Sequence, residues 1–225
     1  MISQDLLASA RSAAEAIPNP VTWLLDLARQ TGLRTWRLGG RELIPVVQGG
    51  MGVGVSAGGL AGTVARHGGI GTVSSVDLRR LHPDLMAETG HLEKEPDARE
   101  RIDAANLVAL DREIRRAKET SQGQGLIAVN VMKAVAAHAD YVRPACASGA
   151  QAIVMGAGLP LDLPEMTEGY PDVALIPILS DARGVAIVLK KWMRKGRLPD
   201  AIVIEHPRYA GGHLGAPNPA DLANE

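Results

Sequence analysis

Residues 43–57 read LIPVVQGGMGVGVSA, and the fold turns on how this stretch is taken. The apolar run 43–48 ends at Gln48 and passes into a glycine-rich turn. From Gly52 to Ala57 the chain fits the G-x-G-x-x-A pattern of a dinucleotide-binding turn, with Ser56 placed to cap the next helix. Asp77 stands beyond the second apolar run, where a Rossmann fold keeps an acid for the ribose. Alternatively, 43–48 is the first strand of a (β/α)8 barrel, and Gly49 and Gly50 leave bare backbone at its mouth.

The rest of the chain separates the two. Five further runs follow: 70–74 (IGTVS), 126–130 (LIAVN), 152–155 (AIVM), 174–179 (ALIPIL) and 201–205 (AIVIE). Each is short, rich in Val and Ile and without alternation, the pattern of parallel strands buried on both faces. Between them lie helical patterns. Leu107, Leu110, Ile114 and Ala117 form one stripe, with Arg112, Glu113, Arg115 and Arg116 read as its solvated side. Val185, Ile187, Val188, Leu189 and Trp192 form another, closed by Lys190, Lys191, Arg194 and Lys195. Small or polar residues follow the strands: Asn130, then Gly156-Ala157-Gly158, then Ser180-Asp181, then Ala210-Gly211-Gly212-His213. A barrel gathers all of these at one mouth, whereas a Rossmann crevice uses two or three. The expected fold is therefore α/β, a TIM (β/α)8-type barrel.

Strand starts fall about 22–27 residues apart, which suits βα units, except for one interval of about 56. Residues 1–43 read as an N-terminal helical extension, in which Asn19 and Pro20 open a helix that Gly32 stops. Residues 44–225 read as a partial barrel with an insertion at about 76–102, laid over the C-terminal ends of the strands. A full barrel needs eight strands and about 250 residues. Six are found, so the barrel is expected to be incomplete, without strands seven and eight and the phosphate-holding loops that go with them. Such a sheet leaves two open edges. A homo-oligomer or a complementing chain is then the expected source of the missing strands, and a non-catalytic partial barrel completed by a partner is a further reading.

Composition narrows the class. A net charge of −1 offers no field for nucleic acid or an anionic membrane, and no apolar run reaches spanning length. The single cysteine, Cys146, rules out an internal disulfide framework and points to a reducing cytoplasm. No Cys or His cluster has metal-ligand spacing, so no metal is expected.

Five motifs, QGGMG (48–52), VNVM (129–132), GAGLP (156–160), PILS (177–180) and AGGHLG (210–215), resemble those of the nitronate monooxygenase family, once called 2-nitropropane dioxygenases. Flavin-dependent enoyl-thioester reductases are related to it. The resemblance implies an FMN-dependent barrel oxidoreductase acting on small nitronates or nitroalkanes, or alternatively an enoyl-thioester or acyl-CoA oxidoreductase. It implies that Gln48, Gly49, Gly50 and Met51 back the isoalloxazine. Asn130 would bond the ring's polar edge, with Gly156, Ala157 and Gly158 beside it and Ser180 near it. Gly211 and Gly212 would approach the flavin through backbone N–H groups, and His213 would hold the position of the catalytic base. Glu205 stands where many members carry a flavin-contacting Gln, and the segment 206–209 is one residue longer than the commonest form. The other five histidines, His67, His82, His91, His138 and His206, read as surface, core or loop residues, and Cys146 as a buried thiol.

Overall fold

Before any parallel strand forms, the chain runs through a helix and a hairpin. The computed structural model describes residues 20–206, apart from 93, 94, 96 and 135–137. Helix α1 (Pro20–Gln30) carries proline in its first turn, where the missing N–H costs nothing. Arg29 near its end reaches Glu42 at 3.0 Å. Strands β1 (Trp36–Leu38) and β2 (Arg41–Leu43) pair antiparallel across Gly39-Gly40. Both glycines have positive φ, 55° and 72°, as a two-residue hairpin turn of matching twist demands.

This hairpin corrects the sequence reading, which took 43–48 as a single strand. Leu43 belongs to β2. The rest of the run makes one parallel bridge, Val47 to Ile70, because Pro45 has no N–H to offer a ladder. Leu38 and Leu43 pack beneath the strand starts, against Ile70, Leu126, Ala152 and Ala174. Arg41 Nη1 fixes the hairpin there by donating to the carbonyls of Gly123 (2.6 Å) and Gly125 (3.1 Å). The hairpin thus plugs the N-terminal end of the sheet.

Helix α2 (Gly58–Arg66) leads to β3 (Ile70–Ser74). A short 3-10 turn (Leu78–Leu81), α3 (Pro83–Thr89) and the long α4 (Ala98–Ser121) follow, then β4 (Leu126–Met132), α5 (His138–Ala147) and β5 (Ala152–Gly156). The described chain ends with α6 (Leu163–Met166), β6 (Ala174–Leu179), α7 (Ala182–Met193) and β7 (Val203–Ile204). Strands β3 to β7 lie side by side in chain order and every pair is parallel. A doubly wound sheet reverses its order at a switch point, and this one does not. The result is a curled parallel half-barrel, an incomplete TIM barrel.

Alternation along the strands divides the core. Val73, Val129, Val131, Ile153, Met155 and Leu175 face the helices. Ala128, Val154 and Ile176 face the barrel interior with the hairpin. The β3 edge is sealed by the segment before α2. Ile70 N donates to Val46 O and Gln48 N to Ile70 O, both at 2.9 Å, and Ser74 N donates to Ser56 O at 2.9 Å. Between these, the Gln48 carboxamide takes the place of a backbone partner. Its Oε1 accepts from Thr72 N and its Nε2 donates to Thr72 O, each at 3.0 Å. At the opposite edge, no strand pairs with the free side of β7 among the described residues, and Ile204 is 62% exposed. No helix among the described residues is long and apolar enough to cross a membrane.

Candidate active site

Alternation brings Ser74, Asn130 and Gly156 to the interior face at the C-terminal ends of three neighbouring strands. Asn130 is 8% exposed. Its Nδ2 lies 3.4 Å from Val154 O, too long to satisfy a carboxamide fully.

The 48–52 loop folds over this point, and Ser56 holds it there. The fully buried Ser56 Oγ accepts from Met51 N (2.8 Å) and Gln48 Nε2 (2.6 Å) and donates to Gly49 O (2.8 Å). This corrects the expectation that Ser56 caps a helix: its hydroxyl is spent on the loop, and the cap position of α2 is Ala57. Gly50 rests directly on Asn130. A Cβ there would lie 2.4 Å from Asn130 Cβ, so only glycine permits the contact. A Cβ on Gly49 would meet nothing within 4 Å. Met51 is 45% exposed beside it.

The N-terminus of α2 is satisfied from α4. Glu113 Oε2 accepts from Gly58 N at 2.6 Å, and Oε1 lies 3.2 Å from His82 Nε2. A carboxylate at a helix N-terminus also meets the positive end of the dipole. Glu113 is 2% exposed, which overturns its reading as part of a solvated face. α4 runs four turns longer than the apolar stripe, because its first half packs through Ala98, Ala105 and Asn106 and leaves no stripe to read. It also begins inside the stretch taken as an insertion.

At the fourth strand end, Ala157 and Gly158 take φ of 57° and 131°. Lys133 lies alongside Gly158 and pairs with Asp162 at 2.5 Å, while Trp192 Nε1 holds Pro160 O at 3.0 Å. Ser180 is half-buried at the end of β6, and Asp181 caps α7 by accepting from Gly184 N. Glu205 is half-buried past β7, its N donating to Leu179 O at 2.9 Å. The residues at 48–51, 130, 156–158, 180 and 205 therefore share the C-terminal end of one sheet, with Gly50 and Asn130 in contact. Gly211, Gly212 and His213 lie outside the described residues. Among the described residues, no group of His, Cys, Asp or Glu could hold a metal ion.

Beside the mouth, Ser75, Asp77, Asp103, Asn106 and Tyr141 line a cavity of about 180 Å³. Sequence reading missed it, since its walls come from a loop, the end of β4 and two helices. Burial, reinforced by the Asp103 carboxylate, pushes the Tyr141 phenol up to about 12, and burial pushes the Cys146 thiol up to about 11. In the unfolded chain both ionise sooner, near their ordinary values of 10.0 and 9.0. The folded chain therefore holds the extra protons in alkali, and the stability they give is full below about pH 9 and lost as pH rises towards 12. The unfolding free energy from urea melts should fall by a few kcal/mol between about pH 8.5 and 11.5, and Cys146→Ala should flatten the lower part of that slope. A flat profile would contradict these assignments.

Solved structures resemble this fold. FabK from Thermotoga maritima aligns with a TM-score of 0.51 at 18% identity, over 76% of this chain and 43% of that one. A point mutant of that protein gives 0.53 at 17% identity, over 76% and 45%. Nitroalkane oxidase from Streptomyces ansochromogenes aligns at 0.32 with 18% identity, over 78% and 68%. At such identities the FabK likeness speaks to the fold alone, and this chain spans less than half of the FabK chain. No curated protein matches the sequence. The family model for nitronate monooxygenase matches residues 41–225, more than four fifths of the sequence and every motif at the strand ends, so the chain belongs to the nitronate monooxygenase family.

Proposed function

We propose that the chain is an FMN-binding oxidoreductase that oxidises small nitronates or nitroalkanes at the barrel mouth. The carrying observation is the seat of Gly50 on Asn130, which presents bare backbone and one under-bonded carboxamide on the same surface. The residues fit a flat polar ring. Gly49 leaves open space, Met51 supplies an exposed thioether face, and Asn130 Nδ2 has capacity for a stronger acceptor than Val154 O. Gln48 serves by a different route. Its carboxamide is spent on Thr72 and Ser56, so it holds the loop in place and offers the ring its backbone.

FMN, when bound, supplies the two-electron acceptor for oxidation at carbon. A nitronate is already a carbanion equivalent, so the protein's task is to orient it and exclude water. A neutral nitroalkane must first lose its α-proton, and His213, in the AGGHLG motif, is the residue assigned to take it. Residues 44–225 are assigned to one barrel unit and 1–43 to an N-terminal extension, and Val76, at the start of the 76–102 stretch, borders the mouth beside Gly52.

The test is an anaerobic titration of the FMN-loaded protein with propyl-2-nitronate, and separately with crotonyl-CoA plus NADPH. Bleaching of the flavin band by the nitronate alone is the expected result. Reduction by NADPH with reoxidation by crotonyl-CoA would replace this reading with enoyl-thioester reduction.

A further inference from the structure

The cavity beside the mouth is not part of the ring seat, yet it touches it at two places. Ser75 N donates to Asn130 O at 3.1 Å, and Val76 meets the position where Gly52 would carry a Cβ, at 3.4 Å. Its volume of about 180 Å³ exceeds the ~150 Å³ that accommodates a benzene ring, so it admits a group of several heavy atoms. Much of its wall is apolar, from Val76, Val131 and Met132, and its charged groups are the carboxylates of Asp77 and Asp103. Asp77 is neutralised by the buried Arg79, at 3.0 Å, and by Arg80. Among the described residues Asp103 pairs with Arg99, at 3.8 Å and 73% exposed, a contact that solvent screens. Asn106 Oδ1 accepts from Arg79 N at 3.1 Å. Tyr141 and Asn106 are each 5% exposed.

We propose that this cavity is a side pocket that takes a small group bearing N–H or O–H donors, cationic or neutral, and refuses a carboxylate. The juxtaposition that carries it is the Asp103 carboxylate, the Tyr141 phenol and the Asn106 carboxamide around one cavity, whose Ser75 wall is bonded to the Asn130 carbonyl. An ammonium or hydroxyl group finds an under-neutralised carboxylate and a phenol oxygen there, while a carboxylate meets like charge at short range. Where the proposed nitronate oxidation is correct, and this extension rests on that reading, the pocket holds the substituent beyond the reacting carbon. Amino- or hydroxy-substituted nitronates are then preferred over carboxylated ones.

The binding test needs neither flavin nor turnover. The chain has three tyrosines, so tyrosine-ring 13C labelling gives a sparse spectrum in which Tyr141→Phe identifies the Tyr141 signal. Titration with 2-aminoethanol should move that signal saturably, and propionate should leave it in place. Asp103→Asn, at a half-exposed site, should weaken 2-aminoethanol binding at least fivefold. A Tyr141 signal that ignores 2-aminoethanol, that responds equally to propionate, or that responds unchanged in Asp103→Asn overturns the pocket. None of these outcomes touches the flavin titration, so the two readings fail separately.

Discussion

Gly50→Val should weaken FMN binding at least tenfold, about 1.4 kcal/mol or more, while the protein keeps its far-ultraviolet dichroism and most of its thermal stability. The reason is local. The new side chain would begin 2.4 Å from Asn130 Cβ and 2.6 Å from its Cγ, so the 48–52 loop must lift off the β4 end. Gly50 is itself exposed, so the loop can rise towards solvent without opening the core. Ser56 still anchors Met51 and Gly49, which confines the damage to the ring seat. Fluorescence quenching of FMN by the two proteins measures the difference. Equal quenching would mean that the Gly50–Asn130 contact does not form the flavin surface.

Glu113→Ala should be the most destabilising single change at a residue outside the apolar core. It orphans Gly58 N, removes the carboxylate beside His82 and strips the anion from the start of α2. An orphaned buried N–H together with the lost helix-start anion costs about 2–4 kcal/mol, which for a domain of this length lowers Tm by about 4–16 °C. Glu113→Gln keeps an acceptor for Gly58 and should recover more than half of the loss. Calorimetry on the three proteins checks this. A Tm for Glu113→Ala within 2 °C of the parent would show that the carboxylate is dispensable.

Much of the fold can be read in the sequence because buried parallel strands advertise themselves. The runs at 70–74, 126–130, 152–155 and 174–179 all form strands, with shifts of no more than two residues at their ends. The β1–β2 hairpin escapes because three-residue strands are too short for a periodic signal, although Gly39-Gly40 between Leu38 and Arg41 is the turn signature that could have found it. The ring seat is legible as glycines after a strand, but its support is not. Ser56 resembles a helix cap from sequence, and only the fold of the loop shows its hydroxyl spent on residues five to eight positions earlier. Glu113 hides in a charged run, where burial leaves no pattern. Its one sequence trace is its place between the buried positions Leu110 and Ile114 and Ala117. The side pocket is invisible for the same reason, since Asp77, Asp103 and Tyr141 meet only after the strands have curled.

The central claim is that the flavin ring lies between the 48–51 loop and Asn130, and the Asn130 carboxamide reports on it directly. Its 15N side-chain signals, identified through Asn130→Asp, should shift on addition of one equivalent of FMN, and Gly50→Val should suppress the shift. Unmoved Asn130 signals in a protein that binds FMN would place the cofactor elsewhere and contradict the account.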